Sequence, residues 1–423
     1  MRCVHVIPYM AARAGGPVVV VDRLCRRMAG LGVESIVVTT DVLSDGRCER
    51  IKASEGGVEN TAGPWHVDGD WVGGGYERRT FHALSRRFAY SPALAAALDA
   101  IVPTCDLVHV HTLWTHTTAA AVRASRRHRV PCVVMPHGML DPNALARKRL
   151  RKLLYGRLFE FARVRSAGGV IYTTEEERDL ARRTVGGVAG RPPEYVVPLG
   201  ADEPPGRREV LARSFLADRP DLAGKTLVTF LGRVHPKKGL DLLVPAFAKV
   251  AARMPQAHLL IVGPDEADTW SRVRQQVETL GLAARVTRID MLTGAKKWSA
   301  LAASTLFVLP SYQENFAIAV AEAMRIGTPV VISERVNIRR TVESGGAGRV
   351  VPCDAAALGA AIQECLDAPE PVWRAMSDAA VAVAQRRYDW GRTAEAMLDV
   401  YGRVRRRGRK AYGLAAGACG SAA

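Results

Sequence analysis

Two basic side chains follow an apolar segment in the second half of the sequence. The segment TLVTFL (226–231) has the composition of a buried strand, and GRVHPKKGL follows it directly, so Arg233 and Lys238 lie where a strand ends and a helix begins. A guanidinium, an ammonium and the N–H groups of a helix N-terminus together suit a diphosphate. A solvated basic turn is the alternative that residue types alone leave open.

Two carboxylates follow a second apolar segment, TLFVLP (305–310). Glu314 precedes a predicted helix and Glu322 lies eight residues further on, a little over two turns, which predicts that both share roughly one face. Carboxylates accept hydrogen bonds from sugar hydroxyls, so a bound sugar and a ribose are candidate ligands. Asn315 adds a donor beside them. Two ordinary glutamates on a solvated helix face are the alternative.

The first half of the sequence contains two further candidate loops. Gly15 and Gly16, followed by Pro17, predict a tight turn from a strand into a helix, for which a plain connecting turn is the alternative. His137 follows a predicted strand in MPHGML, although a lone histidine is usually structural. Asp141, four residues later, could orient His137 or contact an acceptor hydroxyl.

Neither of two metal-like patterns predicts a metal site. His109 and His111 point to one side of a strand and His116 follows, but no cysteine or carboxylate completes a tetrahedral set at the usual spacing. His111 is instead a candidate for the lining of a ligand cleft. Asp68 and Asp70 match a metal-binding DxD pattern, yet they lie in a Gly-rich segment without a preceding strand.

The elements that position these residues form two series of short apolar strands alternating with amphipathic helices. A Pro-rich and charged hinge near 200–225 separates the two series, and such alternation predicts parallel sheets covered on both faces. We therefore expect two doubly wound α/β domains, with ligands at the carboxyl ends of the strands, in the cleft between the domains. The predicted strands are 3–7, 35–40, 106–111, 130–135, 168–172, 195–199, 226–231, 258–263, 285–289, 305–310 and 329–333.

Length and composition exclude several classes of protein. A chain of 423 residues with 48% hydrophobic and 24% charged residues is large enough for two domains, which excludes a small disulfide-stapled module and wholesale disorder. The eight cysteines form no CxxC pair, so a reducing compartment is expected. Because neither a signal peptide nor an apolar run of membrane-spanning length is evident, we expect a cytoplasmic protein that is soluble or peripherally attached to the inner face of the membrane.

The charge is high and partly clustered. The 59 basic and 42 acidic residues give a net charge of +17, with clusters at 147–152 and 403–410. The stretch 147–165 has the composition of a basic amphipathic helix. It either packs its apolar face inward or contacts anionic lipid headgroups or a lipid-linked acceptor. Nucleic acid is not expected as a partner of the basic C-terminal residues, since aromatic residues are not interleaved with them apart from Tyr412.

Longer motifs resemble glycosyltransferase family 4, whose members are retaining enzymes of the GT-B fold. In the second half these motifs are LGRVHPKKGLDLLVPAF, LLIVGPDE, PSYQENFAIAVAEAMRIGTPVVIS and VESGGAGRVVP, in the order and spacing of that family. In the first half, GGP (15–17), VHVHTLW and PHGMLDPNALARKRLRKLLYGRLFE resemble it too. The family often has glycine after ENF where this chain has Ala317, and a methyl group there would restrict the approach of a sugar.

The resemblance implies a metal-independent transfer of a sugar from a nucleotide-diphosphate sugar to a glycan, lipid-linked or other hydroxyl acceptor, in polysaccharide or glycolipid biosynthesis. Arg233 and Lys238 would hold the donor diphosphate, Glu322 the ribose, and Glu314 the transferred sugar. The remaining residues implied at the donor are His137, near the sugar, together with Gly15, Gly16, Asn315 and Phe316. A nucleotide-sugar epimerase on the same fold is the alternative function.

The resemblance also implies a division of the chain. Residues 1–200 would form an acceptor-binding domain, completed by a crossing C-terminal helix at about 388–403, and residues 201–387 a nucleotide-sugar-binding domain. The basic residues 404–423 are expected to be a disordered tail.

Overall fold

The structure, a computed structural model, describes residues 1–11, 15–42, 75–146, 149–184 and 192–411. Asp68, Asp70, most of the Gly-rich segment and part of the 147–152 cluster lie outside the described residues. The chain divides into two compact units. The first unit comprises the described parts of 1–64, 72–197 and 391–423, and the second comprises 198–390.

The first unit is built on a parallel sheet of seven strands in the order β3-β2-β1-β4-β5-β6-β7. Strand β3, at one edge, was not predicted because its sequence YERRTF is mostly polar and only Phe81 is buried, yet it pairs with β2 along its whole length. The strands are β1 (Arg2–Tyr9), β2 (Glu34–Thr40), β3 (Tyr76–Phe81), β4 (Leu107–His111), β5 (Cys132–Met135), β6 (Gly169–Tyr172) and β7 (Glu194–Val196).

Helices connect these strands in the right order for a doubly wound unit. They are α1 (Gly16–Ala29), α2 (Pro92–Ile101), α3 (His116–His128), α4 (Pro142–Ala146), α5 (Arg149–Tyr155), α6 (Phe161–Arg165) and α7 (Glu175–Thr184). A π-helical turn, Gly156–Glu160, joins α5 to α6. The central strands are apolar on both faces because helices cover both, as in Val4, Val6 and Ile7 of β1, which are fully buried.

The second unit has a parallel sheet of six strands in the order β10-β9-β8-β11-β12-β13. Its strands are β8 (Thr226–Leu231), β9 (Ala257–Val262), β10 (Val286–Ile289), β11 (Leu306–Leu309), β12 (Val330–Ser333) and β13 (Gly348–Val351). Its helices are α8 (Arg208–Asp218), α9 (Leu240–Arg253), α10 (Thr269–Thr279), α11 (Gly294–Ala303), α12 (Ile318–Arg325), α13 (Arg339–Gly345), α14 (Ala355–Asp367) and α15 (Glu370–Arg387). Both sheets confirm the predicted doubly wound α/β class.

The last helix, α16 (Trp390–Ala411), extends beyond the predicted end at about 403. The expectation of disorder is wrong for residues 404–411, because this part of the helix packs against the first unit. Val404 is buried beside Gly168 and Gly169, and Arg405 pairs with Asp106 at 3.3 Å. Residues 412–423 lie outside the described part of the chain.

The segment 149–165 carries an apolar stripe on its outside. Leu150, Leu154 and Leu158 recur every four residues and are 83%, 63% and 60% exposed, and Phe159 is 49% exposed. The interpretation that the apolar face packs inward is therefore wrong for these four residues, although Phe161 is buried. Among the described residues, no helix combines the length and the apolar character needed to cross a membrane.

Candidate active site

The predicted diphosphate ligands lie just after β8. The strand ends at Leu231, and a short 3-10 turn, Pro236–Lys238, leads into α9. Gly239, at the junction, has a φ of 71°, and a Cβ atom there would lie 2.0 Å from the Pro310 carbonyl oxygen. Only glycine permits this approach, which brings Lys238 beside the segment that follows β11.

Each of the two predicted cations contacts a carboxylate. Lys238 pairs with Glu314, so the fold brings together two predicted site residues that are 76 positions apart in the sequence. Arg233 pairs with Glu266, a residue that the sequence analysis did not single out. The signal for Glu266 was its place in LLIVGPDE, directly after β9, since β9 is the neighbour of β8 in the sheet.

The second predicted carboxylate, Glu322, is buried in α12 with only 4% of its surface exposed. Its Oε1 accepts a hydrogen bond from Nζ of Lys297, on α11, at 2.7 Å. The prediction that Glu314 and Glu322 share one face of a helix is wrong, because α12 begins only at Ile318 and Glu314 lies in the loop before it. Each carboxylate instead pairs with its own lysine.

The loop from Glu314 to Ala317 is anchored in the second unit. Glu314 exchanges backbone hydrogen bonds with Arg335 and Asn337, both at 3.1 Å. Phe316 is buried and packs edge-on against Tyr388, with ring centroids 5.1 Å apart, so its side chain is not placed for contact with a ligand.

Asn315 and Ala317 complete this loop. Asn315 Oδ1 accepts a 3.4 Å hydrogen bond from Asn337 Nδ2. Ala317 is the N-cap of α12 with a φ of 60°, a left-handed conformation that favours glycine, which matches the glycine frequent at this position in the resembled family.

In the first unit, Gly15 and Gly16 form the predicted entry to a helix. Gly15 has a φ of 86° and caps α1, and its carbonyl accepts a hydrogen bond from the Val18 N–H at 3.2 Å. A Cβ atom on Gly16 would meet no atom of the described residues within 4 Å, so packing against them does not require glycine there. These contacts fit a ligand loop and a plain connecting turn alike.

His137 lies two residues after β5 and has a φ of 53°, followed by Gly138 with a φ of 77°. The buried Glu177 braces this loop. Its Oε1 accepts from the Gly138 N–H at 2.5 Å and its Oε2 from the Thr173 N–H at 2.6 Å. Asp141 Oδ1 accepts a hydrogen bond from the Asn143 N–H at the start of α4 at 2.7 Å, and its role towards His137 stays a prediction.

The prediction that His111 lines a cleft is wrong, because His111 is fully buried. It belongs to a group with His5 and His109 in which potential ligand atoms all lie within 4.8 Å of one another. Spacing along the sequence does not reveal this group, because His5 is remote in the chain and β1 and β4 become neighbours only in the sheet. His116, by contrast, lies at the start of α3, where its Nδ1 accepts from the Ser91 N–H at 3.3 Å.

Comparisons with known families cover most of the chain. Residues 15–200 match the glycosyl transferase 4-like domain, and residues 225–368 match the family of glycosyl transferases group 1. The phosphatidyl-myo-inositol mannosyltransferase of Mycobacterium tuberculosis is 38% identical over 194 residues, which is 44% of this chain and 49% of that protein. The chain thus spans about half the length of such relatives.

A second relative aligns over more of its length. The D-inositol 3-phosphate glycosyltransferase of Nocardiopsis dassonvillei is 31% identical over 323 residues, 70% of each protein.

Solved structures share the fold over nearly the whole chain. HepE of Anabaena, solved in complex with UDP and glucose, superposes with a TM-score of 0.72 at 19% identity, covering 95% of this chain and all of that one. The sucrose-phosphate synthase of Thermosynechococcus elongatus gives a TM-score of 0.70 at 22% identity, covering 95% and 98%. Both matches identify the fold as GT-B. With both family profiles and a relative aligned over 70% of its length, the chain belongs to glycosyltransferase family 4.

Proposed function

We propose that this protein transfers a sugar from a nucleoside-diphosphate sugar to a hydroxyl acceptor with retention of configuration and without a divalent metal. The observation that carries the proposal is the set of three cation–carboxylate pairs next to β8, β9 and β11: Arg233–Glu266, Lys238–Glu314 and Lys297–Glu322. Cations can stabilise a diphosphate, and carboxylates can accept from sugar hydroxyls. The second unit therefore supplies both kinds of group that a nucleotide sugar requires.

Charge develops on the leaving diphosphate as the glycosidic bond breaks. Arg233, Lys238 and the N-terminal end of α9 would stabilise that charge, which is the task of a divalent ion in other glycosyltransferase folds. Lys238 is in contact with Glu314, so the lysine is held in place by the carboxylate assigned to the transferred sugar. Glu322 would accept from the ribose hydroxyls while Lys297 compensates its charge in the interior.

Names of related proteins narrow the substrates to be tested. Solved relatives contain UDP or UDP-glucose, and curated relatives are named for a mannosyl transfer and for inositol-containing acceptors. We propose a hexose donor and an acceptor that is a glycan, a lipid-linked molecule or another polyol, in polysaccharide or glycolipid biosynthesis. The first unit would bind the acceptor and the second the donor.

Donor binding is tested first by a thermal-shift panel of UDP- and GDP-sugars and the free nucleotides. A ligand at 100 times its Kd stabilises the folded protein by about 2.7 kcal/mol, which is readily measured as a rise in Tm. Glu322→Ala should weaken nucleotide binding in calorimetry. Unchanged affinity in that variant would remove the ribose assignment.

Turnover then tests the diphosphate ligands. Arg233→Ala and Lys238→Ala should each lower kcat/KM by about 10²-fold or more, because each removes a charge contact that strengthens in the transition state. Lys237→Ala is the matched control, since Lys237 is adjacent in sequence and its Nζ donates to Gln313 instead. Near wild-type turnover in both Arg233→Ala and Lys238→Ala would overturn the site assignment.

Two further measurements separate this proposal from its alternatives. Turnover should survive exhaustive treatment with EDTA, and its loss and recovery with added Mn²⁺ or Mg²⁺ would contradict the metal-independent proposal. Anomeric analysis of the product by NMR should show the configuration of the donor. Conversion of the donor sugar without any acceptor would instead indicate an epimerase.

We also propose that the exposed stripe of Leu150, Leu154, Leu158 and Phe159 attaches the protein to an anionic bilayer. Exposed leucines with the repeat of a helix can enter the headgroup region, and a net charge of +17 attracts anionic lipids. Burial of a leucine contributes about 1.5–3 kcal/mol. Such an attachment would bring a lipid-linked acceptor to the protein.

Vesicle sedimentation tests this attachment. Leu154→Glu/Leu158→Glu should reduce partitioning onto vesicles rich in anionic lipid by about 100-fold or more. Leu84→Glu is the matched control, because Leu84 is a leucine of the first unit that is 68% exposed but lies outside the stripe. Equal partitioning of the double variant and the control would show that the stripe is ordinary solvated surface and does not bind the bilayer.

A further inference from the structure

Three histidines lie side by side in the centre of the first sheet. His5 on β1 is directly opposite His109 on β4, and His111 follows on the same face of β4. All three are fully buried. Burial of polar rings costs free energy unless their nitrogens are hydrogen-bonded.

The rings form a hydrogen-bonded chain that leads to His137. Nδ1 of His5 lies 3.1 Å from Nε2 of His111, and Nδ1 of His111 lies 3.1 Å from Nε2 of His137. The two pairs share one geometry, with ring centroids 5.4 Å apart and ring planes inclined by 19° and 28°. His137 is half-buried, so the chain runs from the core towards the edge of the unit where β5 ends.

Ring orientation favours hydrogen bonding over metal ligation. A metal ion requires the lone pairs of its ligands to converge on one point, whereas the two nitrogens of His111 are directed at two different rings. His109 stacks face to face on His111 at 3.9 Å, and its own Nδ1 lies 2.6 Å from the Tyr401 hydroxyl. The geometry therefore fits a hydrogen-bonded chain of His5, His111 and His137, with the ring of His109 stacked on that of His111.

The hydrogen bonds that link His5, His111 and His137 all point in one direction. Burial lowers the pKa of His5 and of His137 to about 3 and that of His111 well below its ordinary value, so all three rings are neutral and each carries a single N–H. Two successive bonds through neutral rings must then point the same way. Nε2 of His5 is buried without a hydrogen-bond partner among the described residues.

That unpartnered atom sets the direction. Orphaned buried N–H groups are rarer than buried acceptors with an unused lone pair, so the proton of His5 belongs on Nδ1. His5 then donates to Nε2 of His111, and Nδ1–H of His111 donates to Nε2 of His137. The single N–H of His137 is consequently on Nδ1.

We propose that His5 and His111 are positioning residues that hold His137 as the Nδ1–H tautomer, so that it presents one fixed hydrogen-bond donor to an oxygen of a bound substrate. This inference rests on the proposed function, a sugar transfer, and on the family resemblance, which implies that His137 lies near the sugar. The backbone supports the same role, because the left-handed turn at His137 and Gly138 is braced by Glu177. His137 in this arrangement orients an oxygen and does not exchange a proton with it.

The tautomer can be measured without any substrate. In the full chain labelled with ¹⁵N-histidine, long-range ¹H–¹⁵N spectra at pH 7 should show Nδ1 protonated and Nε2 unprotonated for His5, His111 and His137. A His137 that is protonated on Nε2 would overturn the proposal. Stoichiometric zinc bound by the purified protein, with loss of the hydrogen-bonded signals of His5 and His111, would overturn it as well.

Two substitutions at one position then test the coupling. His5→Asn retains an N–H donor near the place of Nδ1, whereas His5→Phe retains the ring shape and removes the donor. We expect His5→Phe to shift His137 towards a mixture of tautomers and to lower kcat/KM for the donor by about 3- to 10-fold, the effect of one hydrogen bond. His5→Asn should preserve both readouts.

Tyr401→Phe is the control, because it removes the hydrogen bond to His109 without touching the chain from His5 to His137. If the tautomer of His137 is unchanged in His5→Phe, the positioning role is wrong, and the same holds if the tautomer shifts while turnover does not. If the wild-type spectra match but the protein transfers no sugar from any donor, the proposed function has failed and the tautomer assignment stands.

Discussion

Acid should unfold the first unit well before the second, because the buried histidines are unevenly divided between them. His5, His109 and His111 are fully buried in the first sheet, His137 is half-buried after β5, and burial lowers the pKa of all four far below 6.5. In the second unit, burial lowers the pKa of His258 to about 4. These rings are neutral in the folded chain but bind protons once it unfolds, so stability is present above pH 6.5 and falls as the pH decreases towards 4 and 3.

The magnitude follows from proton linkage. A histidine that remains neutral when folded and titrates near 6.5 when unfolded loses about 1.9 kcal/mol of stabilisation between pH 7 and pH 5. Four such residues remove about 8 kcal/mol from the first unit, and His258 removes about 2 kcal/mol from the second. A loss of about 8 kcal/mol is a large fraction of the 5–15 kcal/mol typical of a folded domain.

Hydrogen exchange read by mass spectrometry separates the two units. Peptides covering β1 and β4 should lose protection between pH 7 and pH 5, after correction for intrinsic exchange, by far more than peptides covering β8 and β9. His5→Asn should reduce the pH-dependent loss in the first unit by about a quarter, whatever its effect at pH 7. Equal losses in the two units would refute the reasoning, and so would an unchanged slope in His5→Asn.

Two further predictions concern the second unit and its junctions. Lys297→Met removes the cation that contacts the buried Glu322 and should cost about 3 kcal/mol of stability, seen as a fall in Tm. The double variant Lys297→Met/Glu322→Gln should recover most of this loss. An unchanged Tm in the single variant would contradict the pairing. Gly239→Ala should cost about 3 kcal/mol or more in urea unfolding because its Cβ would collide with the Pro310 carbonyl, whereas Gly16→Ala, with open space around its Cβ, should lie within about 1 kcal/mol of wild type. Equal costs for the two glycine variants would show that the close approach is not required.

The fold was largely predictable because its strands are continuous apolar runs. All eleven predicted strands are present among the described residues, most of them within two residues of the expected bounds. Strands β3 and β13 were missed because neither is a continuous apolar run. The polar edge strand β3 lacks the apolar pattern, and β13, with the sequence GRVV, is interrupted by Arg349 and follows a Gly-rich turn.

The candidate site residues were chosen from strand ends and from spacing. Arg233, Lys238 and Glu314 follow strands and Glu322 was placed by its spacing, but which partners they contact depends on strand order, which local patterns do not contain. Glu266 and Lys297 therefore became visible only as ion-pair partners in the folded unit. The exposed leucines of 149–165 illustrate the same limit, since helical periodicity identifies an apolar stripe without showing whether anything covers it.

The place of α16 in the first unit has a consequence for the order of events during synthesis. Tyr401 is fully buried there against His109, yet residues 198–390, which separate it from the rest of the unit, form a different unit. At 5–20 residues per second, a ribosome needs about 10 to 40 s to proceed from residue 197 to residue 411. During this interval the nascent first unit exposes the apolar surface that α16 later covers, and the second unit can finish folding first. We therefore expect the N-terminal sheet, although synthesised earliest, to be the last part of the protein to become stable and the part most dependent on chaperones.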